Sequence, residues 1–172
     1  MVEKYLTKEG KVILNYKSIK DAPNDYSWQT DAELAYLMAT NPLTIGFTDY
    51  LSEYANQLRR RNLQKSQFAI KTIDGRHIGN CACYGINSEK SEAEIGIILG
   101  NRHYWDKGYG TNAVISLVKY VFNHTNSIRI RLKTLESNKR AQRCFLKCGF
   151  TMCGSIMNNG HDFILMELHR SS

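Results

Sequence analysis

The stretch from Glu92 to Ala113 constrains the fold most, because a strand pattern passes into a helix pattern through a glycine-bearing loop. The strand pattern over 93–99 is a short apolar run rich in β-branched residues, and it predicts a strand covered on both faces. Its apolar positions are Ile95, Ile97, Ile98 and Leu99. The helix pattern over 108–124 has apolar residues at i, i+3, i+4, i+7 and i+8, which form one face. Its apolar positions are Val114, Leu117, Val118, Val121 and Phe122.

The loop between these two patterns, Lys107-Gly-Tyr-Gly-Thr111, carries two glycines at the start of the helix. We expect Gly108 and Gly110 to allow positive φ angles and a close approach of a ligand to the backbone. The N–H groups of such a turn, added to the positive end of the helix, suit an anion such as a phosphate. The loop is therefore predicted to hold a phosphate-bearing cofactor.

Two other interpretations of these glycines stay open. A Gly-x-Gly sequence before a helix is often a tight turn that binds nothing. The run Gly108-Tyr-Gly-Thr-Asn-Ala113 also fits the G-x-G-x-x-G/A dinucleotide fingerprint, with Glu136 as the ribose-binding acid. Against the fingerprint, about eight residues separate Leu99 from the first glycine. Too little chain also follows residue 113 to complete a large doubly wound sheet.

The patterns along the rest of the chain predict an α/β or α+β arrangement around a central mixed sheet. Strands are predicted over 11–19, 67–73, 76–86, 93–99, 127–135, 150–157 and 162–168. Helices are predicted over 24–28, 31–38, 48–61, 108–124 and 137–148. Asp21-Ala-Pro23 predicts a helix start with proline in the first turn, and Asn158-Asn-Gly160 predicts a hairpin turn between the last two strands. In the strand over 127–135, Ile128, Ile130 and Leu132 are predicted to share one apolar face. A chain of 172 residues has the length of one domain with a proper core, which we assign to residues 1–172.

Charge and composition narrow the function. The net charge of +7 and the pI near 9.2 favour an anionic partner. A cofactor with several phosphates accounts for this charge as well as a nucleic acid does. No charge block or internal repeat favours direct nucleic-acid binding. The sequence has the features of neither a signal peptide nor a membrane span, so we expect a cytoplasmic protein that does not enter the membrane.

The cysteines are expected to be reduced thiols, because their number, 5, is odd and the chain has no export signal. Cys81 and Cys83 would share one face of a strand, and Cys144 and Cys148 would share one face of a helix. These spacings match no familiar zinc pattern, so we predict no metal site.

A second motif, Asn138-x-x-Ala141-x-x-x-Phe145-x-x-x-Gly149-Phe150, follows the strand predicted over 127–135. The loop Trp105-Asp-Lys-Gly-Tyr-Gly-Thr begins about 30 residues earlier. Together, with a helix and a strand between them, the two motifs resemble the GNAT superfamily of acyl-CoA N-acyltransferases over nearly the whole chain. The resemblance implies a three-layer fold, in which helices flank a central mixed, mostly antiparallel sheet of about seven strands.

The details are most similar to the branch that includes RimJ/RimL-type ribosomal-protein N-acetyltransferases, spermidine acetyltransferases and some aminoglycoside acetyltransferases. The similar segments are Glu94-Ile-Gly-Ile-Ile-Leu, His103-Tyr-Trp-x-Lys-Gly-Tyr-Gly, Tyr120-Val-Phe122 and the early Trp28. Trp105 stands where the superfamily usually has Arg or Gln, a substitution that this branch commonly shows.

The resemblance implies acetyl-CoA as the cofactor. In the family, the strand ending at Leu99 separates from its neighbour, so that its backbone can pair with the pantetheine amides and polarise the thioester carbonyl. The implied cofactor-binding residues are Ile98, Leu99, Gly100, Trp105, Asp106, Lys107, Gly108, Tyr109, Gly110, Thr111, Asn138, Arg143 and Phe145. Arg102, Lys107 and Arg143 are candidates for the outer phosphates, although each also suits a solvated surface.

Attack on the thioester requires a neutral amine, so a base must remove a proton. Glu94 is the first candidate, with Glu92 and His103 as alternatives, while His161 is expected at the surface. The family usually has a Tyr at the position of Phe145, and that Tyr protonates the departing thiolate. Without it, a water molecule, Cys144 or another tyrosine would supply the proton, or the thiolate would leave unaided. Asn138 is expected to hold the cofactor arm or a water molecule, to cap its helix, or to do both.

The sequence therefore predicts an N-acetyltransferase that moves an acetyl group from acetyl-CoA to a primary amine by direct attack in a ternary complex. The acceptor is either a protein N-terminus or a small molecule, such as a polyamine, an aminoglycoside or an amino acid. The alternative from another class is a non-catalytic module that binds acyl-CoA or nucleic acid. The resemblance also implies that the protein can form a homodimer.

Overall fold

The computed structural model describes residues 5–6, 10–60, 65–85 and 91–171, with side chains from residue 10 onward. These residues form one eight-stranded sheet in the spatial order β1-β2-β3-β4-β5-β6-β8-β7. The strands are β1 (Tyr5–Leu6), β2 (Val12–Tyr16), β3 (Lys65–Thr72), β4 (His77–Tyr84), β5 (Glu92–Leu99), β6 (Arg129–Leu135), β7 (Thr151–Asn158) and β8 (His161–His169). The helices are α1 (Ala22–Thr30), α2 (Ala32–Leu37), α3 (Phe47–Arg59), α4 (Tyr109–His124) and α5 (Lys139–Lys147).

The sheet is mixed and mostly antiparallel, which confirms the predicted fold class. Its one parallel pair is β5 and β6, and the other neighbouring strands run antiparallel. The short strand β1 is an addition to the seven predicted strands. A doubly wound dinucleotide fold requires a mostly parallel sheet, so the antiparallel order excludes that alternative for the glycine loop.

The parallel strands β5 and β6 separate after a short contact. Their register runs through three pairs, which end at Glu94 opposite Arg131. Beyond that point β5 continues to Leu99 beside β4, while β6 continues to Leu135 beside β8. The separation opens a cleft in the middle of the sheet, as the family resemblance implies.

Helices cover both faces of the sheet. The predicted apolar face of α4 packs against one face of the sheet and buries Val114, Leu117 and Val121 completely. On the other face, α1 and α3 pack together through Ala22, Tyr50 and Tyr54. Proline lies in the first turn of α1, as predicted, because its fixed φ suits that position.

Two burial predictions were wrong. In β5, Ala93 and Ile95 are buried, but the run from 96 to 99 is only partly buried, because it borders the cleft. In β6, Ile130 and Leu132 are buried as expected, whereas Ile128 precedes the strand and is 59% exposed.

One turn prediction was confirmed, and one predicted strand boundary was wrong. The hairpin between β7 and β8 turns at Asn159 and Gly160, both with positive φ, as the Asn-Gly sequence predicts. The first strand ends at Tyr16 rather than at residue 19, because a single 3-10 turn over Ile19–Asp21 leads into α1.

Candidate functional site

The cleft between β5 and β6 contains a cavity of about 360 Å³. Four segments form its walls, namely α2, the end of β5, the glycine loop with the start of α4, and α5. The lining residues are Leu34, Leu37, Met38, Ile97, Ile98, Leu99, Trp105, Asp106, Gly108, Gly110, Thr111, Asn138, Arg140, Ala141, Arg143, Cys144, Phe145 and Lys147. The volume lies in the range of small-molecule and cofactor sites.

The glycine loop presents the N-terminus of α4 to this cavity. Gly108 has φ +84° and caps the helix, whose first backbone bond runs from Asn112 N–H to the Gly108 carbonyl. The N–H groups of the preceding helical residues therefore have no helical acceptor and are available to an anion. Of the two glycines, only Gly108 has positive φ, so the prediction for Gly110 was wrong.

Lys11, at the start of β2, holds the loop from outside. Its Nζ donates to the Lys107 carbonyl at 2.8 Å, and its backbone N–H donates to Asn112 Oδ1 at 3.1 Å. The Lys11 ammonium group also lies 5.4 Å from the centre of the Tyr109 ring. These contacts fix the loop and add positive charge beside the helix N-terminus, which favours an anionic ligand.

Trp105, which stands where the superfamily usually has Arg or Gln, forms a side wall of the cavity. Its indole N–H donates to the Leu99 carbonyl at 2.7 Å, which joins the loop to the end of β5. The Arg140 guanidinium lies 3.4 Å from the centre of the indole ring. The ring thus carries the positive charge of an arginine from α5, which also lines the cavity.

The charge of the cavity lining is mainly positive. Arg140, Arg143 and Lys147 line it from α5, and Asp106 lines it from the loop. Asp106 has φ +56°, an uncommon conformation for a residue other than glycine.

Arg102, the remaining candidate for the outer phosphates, has other partners. Its guanidinium contacts Asp31 at 2.8 Å and Glu33 at 2.6 Å, at the start of α2. This pairing lowers the pKa of the Asp31 carboxyl, chiefly through the hydrogen bond from Arg102. Arg102 therefore connects the loop to α2 and does not line the cavity.

Asn138 caps α5 and also lines the cavity. Its Oδ1 accepts the Ala141 backbone N–H at 3.1 Å. In the described part of the chain its Nδ2 has no partner, so the amide is free to donate to a ligand carbonyl. Gln142 fixes the same helix to the end of β6, because its buried side chain donates to the Leu135 and Glu136 carbonyls at 3.0 and 2.8 Å.

Gly100, just beyond β5, is buried beneath Trp28 of α1. A Cβ atom at this position would lie 2.0 Å from Trp28 Cδ2. The indole is also packed against the His77 ring at 4.8 Å. The absence of a side chain at position 100 thus lets Trp28 pack directly on the backbone at the end of the cleft.

His77 belongs to a buried polar network beneath α1. Its Nε2 bonds Asn80 Oδ1 at 3.0 Å, and Asn80 Nδ2 donates to Asp25 at 2.5 Å. Asp25 also accepts the Tyr54 hydroxyl at 2.9 Å and pairs with Lys17. Because these groups satisfy one another, the network holds α1, and therefore Trp28, in a fixed position.

Glu94 lies where β5 and β6 separate, on the face opposite α4. It shares this face with Ile98, since alternate residues of a strand point the same way, and its side chain is exposed. Burial raises the pKa of the neighbouring Tyr84 hydroxyl, and the charge of Glu94 adds to this rise. Over the described ranges no hydrogen bond or ion pair engages the Glu94 carboxylate.

The two alternatives to Glu94 are placed differently. Glu92 pairs with Arg129 and, at 3.7 Å, with Arg131. His103 lies in a 3-10 turn after β5, where its carbonyl accepts the Lys107 ammonium group at 2.6 Å. Like Glu94, neither residue is among those that line the cavity.

Cys144 and Phe145 face the cavity at the position where the family usually has a proton-donating Tyr. Phe145 packs edge-on against Phe150, 6.0 Å between ring centres, and has no proton to give. The Cys148 thiol donates to the Thr111 carbonyl at 3.7 Å. Interaction with this thiol, opposed by burial and assisted by Thr111 and Lys147, lowers the pKa of Cys144 to about 7. The lining thus contains a thiol that ionises near neutral pH.

The structure brings most of the predicted cofactor residues into one cavity. The three that do not line it are Gly100, Lys107 and Tyr109, whose ring packs on Tyr104 at 4.8 Å. Sequence reasoning missed Arg140 and the α2 wall. The signal for Arg140 was its position two residues after Asn138, on the first turn of the same helix. The α2 wall had none, since an apolar helix face is also what a core produces.

The sheet separates beside a helix N-terminus with free N–H groups, and positive charge lies along one wall of the cleft, so the arrangement suits a small ligand that carries anionic groups. The model of the acetyltransferase (GNAT) domain matches residues 11–151. The chain belongs to this family of acetyl-CoA-dependent N-acetyltransferases.

Individual relatives agree with this assignment. The N-acetyltransferase p20 of Bacillus licheniformis is 30% identical over 131 residues, covering 74% of this chain and 72% of the relative. The aminoglycoside N(6')-acetyltransferase type 1 of Klebsiella pneumoniae is 31% identical over 97 residues, which cover 51% of this chain and 48% of that enzyme. The spermidine N-acetyltransferase of Vibrio cholerae, solved with CoA and spermine, has the same fold. Its TM-score is 0.80 at 21% identity, covering 92% of this chain and 95% of that one.

Along the described residues, no helix is both long enough and apolar enough to cross a membrane. Nor do these residues include three or more His, Cys, Asp or Glu side chains grouped closely enough to hold a metal ion.

Proposed function

We propose that the protein transfers the acetyl group of acetyl-CoA to a primary amine, by direct attack of the amine in a ternary complex. One observation carries this proposal. A free helix N-terminus, a row of cationic side chains and the open edge of β5 all border the same cavity. This arrangement suits a long ligand with phosphates at one end and a reactive group at the other.

In this proposal the diphosphate of acetyl-CoA lies on the N-terminus of α4, where Gly108 begins the helix. Arg143, with Arg140 and Lys147, pairs with the outer phosphates. The pantetheine arm follows β5 past Ile98, and Asn138 Nδ2 donates to one of its carbonyl groups. Backbone N–H groups at the end of β5 stabilise the oxyanion that forms on the thioester.

Glu94 is the proposed general base. It lies on the face opposite α4, beside the point where the strands separate. Among the described residues no arginine pairs with its carboxylate, whereas Arg129 pairs with that of Glu92. A water molecule carries the proton from the amine to Glu94 where the two are not in direct contact. The departing thiolate takes its proton from water or from Cys144, since Phe145 has none to give.

The relatives favour a small-molecule acceptor, because the Klebsiella pneumoniae relative is named for an aminoglycoside. The cavity itself does not favour a polycation, because Leu34, Leu37 and Met38 form its α2 wall and Asp106 is its only carboxylate among the described residues. Small amines with an apolar part are therefore the first acceptors to test. Peptide N-termini come second, following the resemblance to the RimJ/RimL-type branch.

The proposal extends to the organisation of the protein. Residues 1–172 form one domain, and the protein works in the cytoplasm, where its five free cysteines remain reduced. It also forms a homodimer, as the family resemblance implies. Light scattering of the purified protein measures the oligomeric state directly.

The test is amine-dependent release of CoA from acetyl-CoA, measured with a thiol reagent for small amines, aminoglycosides, polyamines and peptides. For an accepted amine, Glu94→Gln should lower kcat by about 10²-fold or more and leave the acetyl-CoA affinity unchanged. The matched control is Glu92→Gln, which removes a neighbouring charge and should change kcat by less. Full activity of Glu94→Gln would rule out Glu94 as the base. No CoA release with any amine would contradict the proposed reaction.

A further inference from the structure

Cys144 places a thiol inside the proposed cofactor cavity, in contact with the glycine loop. Its Sγ lies 3.6 Å from Thr111 Oγ1, in the first turn of α4. A Cβ atom built on Gly110 would lie 3.5 Å from the same sulfur. The thiol therefore borders the surface that would carry the cofactor's diphosphate and the adjoining part of its arm.

Cys148, one helical turn later, supports a thiolate at Cys144. Its thiol donates to the Thr111 carbonyl at 3.7 Å, on the same turn of α4 that Cys144 contacts. The interaction between the two thiols raises the pKa of Cys148 and lowers that of Cys144. The start of α4 adds its positive end. The charged groups that line the cavity around this sulfur are Asp106 on the loop and Arg140, Arg143 and Lys147 on α5, while β5 contributes apolar residues.

We propose that Cys144 is a modification site for low-molecular-weight disulfides that carry anionic groups, and that the resulting mixed disulfide excludes acetyl-CoA. This inference rests on the proposed function for the location of the cofactor. The Cys144 thiolate attacks one sulfur of the disulfide R–S–S–R and forms Cys144–S–S–R. The S–S bond of the reagent breaks, and the departing R–S⁻ takes a proton from water. Cys144 is oxidised and the disulfide is reduced, so no other oxidant is needed.

The same charges that suit a phosphate direct such a reagent to this thiol. Glutathione disulfide and CoA disulfide are both anionic, and both would be attracted by the arginines of α5 and by the N-terminus of α4. The attached group then occupies space that the cofactor needs. A thiol at the same point on a solvated surface would have neither effect.

The other cysteines serve as internal references. Cys81 and Cys83 are buried in β4, at 3% and 0% exposure, and should not react in the folded protein. Cys153 lies exposed on β7. Cys153 should therefore react as an ordinary exposed thiol, whereas the positive charges of the cavity should attract anionic disulfides to Cys144.

The experiment treats the reduced full-length protein with glutathione disulfide or CoA disulfide in parallel, and measures modification of each cysteine by peptide mass spectrometry. We expect Cys144 to react before Cys153, and saturating acetyl-CoA to slow modification of Cys144 at least tenfold without protecting Cys153. Faster reaction with CoA disulfide than with glutathione disulfide would identify the CoA moiety as the preferred group. Equal rates with the two reagents would show that the cavity recognises an anionic disulfide without a preference for the CoA moiety.

Two variants make the test specific. Cys148→Ser keeps a donor for the Thr111 carbonyl beside Cys144 and should preserve the reactivity of Cys144, whereas Cys148→Val removes that donor and should slow the reaction. Disulfide treatment should not change the acetyl-CoA affinity that Cys144→Ser has before treatment. The parent protein should lose its affinity on treatment and regain it when a reducing agent is added. Reaction of Cys153 first, or modification of Cys144 that acetyl-CoA does not slow although it binds, would overturn the proposal.

The experiment gives different results for a failure of the proposed function and for a failure of the proposed modification site. If Cys144 reacts first but acetyl-CoA does not bind the reduced protein, the thiol site stands and the cofactor assignment falls. If acetyl-CoA binds tightly but Cys144 reacts like Cys153, the cofactor assignment stands and the modification site falls.

Discussion

The contact between Gly100 and Trp28 gives the most sharply defined prediction for a single methyl group. A Cβ at position 100 would lie 2.0, 2.2 and 2.3 Å from three atoms of the indole ring. Carbon atoms pack at about 3.5 Å or more, so the ring or the end of β5 must move by about 1.5 Å. The ring cannot move freely, because His77 packs against it at 4.8 Å and is itself held by hydrogen bonds.

We therefore expect Gly100→Ala to cost about 3 kcal/mol of unfolding free energy, at the upper end of what overpacking usually costs. For a domain of this size the melting temperature should fall by about 6–12 °C. Urea unfolding of the ligand-free protein, followed by circular dichroism, measures the free-energy change. The matched control is Gly110→Ala. A Cβ there meets Cys144 and Leu99 at 3.5 and 3.6 Å, which are ordinary contacts. Since alanine also favours a helix over glycine by about 1 kcal/mol, this variant should be no less stable.

A double-mutant cycle separates the contact from other effects of the substitution. Trp28→Ala alone should cost about 3–5 kcal/mol, because it removes a large buried ring. In that background Gly100→Ala should cost close to nothing, since the ring it would meet is gone. An equal cost of Gly100→Ala with and without Trp28 would refute the reasoning, and so would a Gly100→Ala variant as stable as the parent.

Three further predictions follow from the site and the buried network. Asn138→Ala removes the helix cap, so it should lose about 1 kcal/mol of unfolding free energy and should also bind acetyl-CoA more weakly. Asn138→Asp keeps the cap and should lose only acetyl-CoA affinity. If both variants bind acetyl-CoA as tightly as the parent in calorimetry, Nδ2 does not have the proposed role. Alkylation of Cys144 by iodoacetamide should rise with pH to half its maximum near pH 7, following its pKa of about 7; a midpoint at about pH 8.5, the value of a free cysteine in a peptide, would contradict the environment described for Cys144 in a mass-spectrometric assay. Tyr54→Phe should destabilise the protein by about 1–3 kcal/mol, because it leaves the buried Asp25 without one of its donors; unchanged urea unfolding would show that this hydrogen bond contributes no stability.

Local patterns predicted the elements around the cleft well. The apolar spacing of α4 and the Asn-Gly turn before β8 are set by neighbouring residues, so the sequence alone locates them. The glycine loop and Asn138 were placed by their motifs. The burial of β5 was misjudged because an apolar run looks the same whether it borders a core or a cofactor cleft.

The contacts that complete the site join residues far apart in the chain. Trp28 meets Gly100, and Arg140 stacks on Trp105, through the arrangement of whole elements. No periodicity encodes such pairs. Arg102 illustrates the same limit for charges, because its sequence context fits a phosphate ligand as well as the carboxylates that it pairs with.

Binding of acetyl-CoA tests the central claim most directly. Titration calorimetry of the purified protein should show binding on the order of micromolar, within the usual range for enzyme substrates. The comparison is Gly110→Arg, in which the helical backbone accepts a side chain and that side chain enters the cavity. This variant should keep its circular dichroism spectrum and lose the binding. Absence of binding by the parent protein, or equal binding by the folded variant, would contradict the assignment of this cavity to the cofactor.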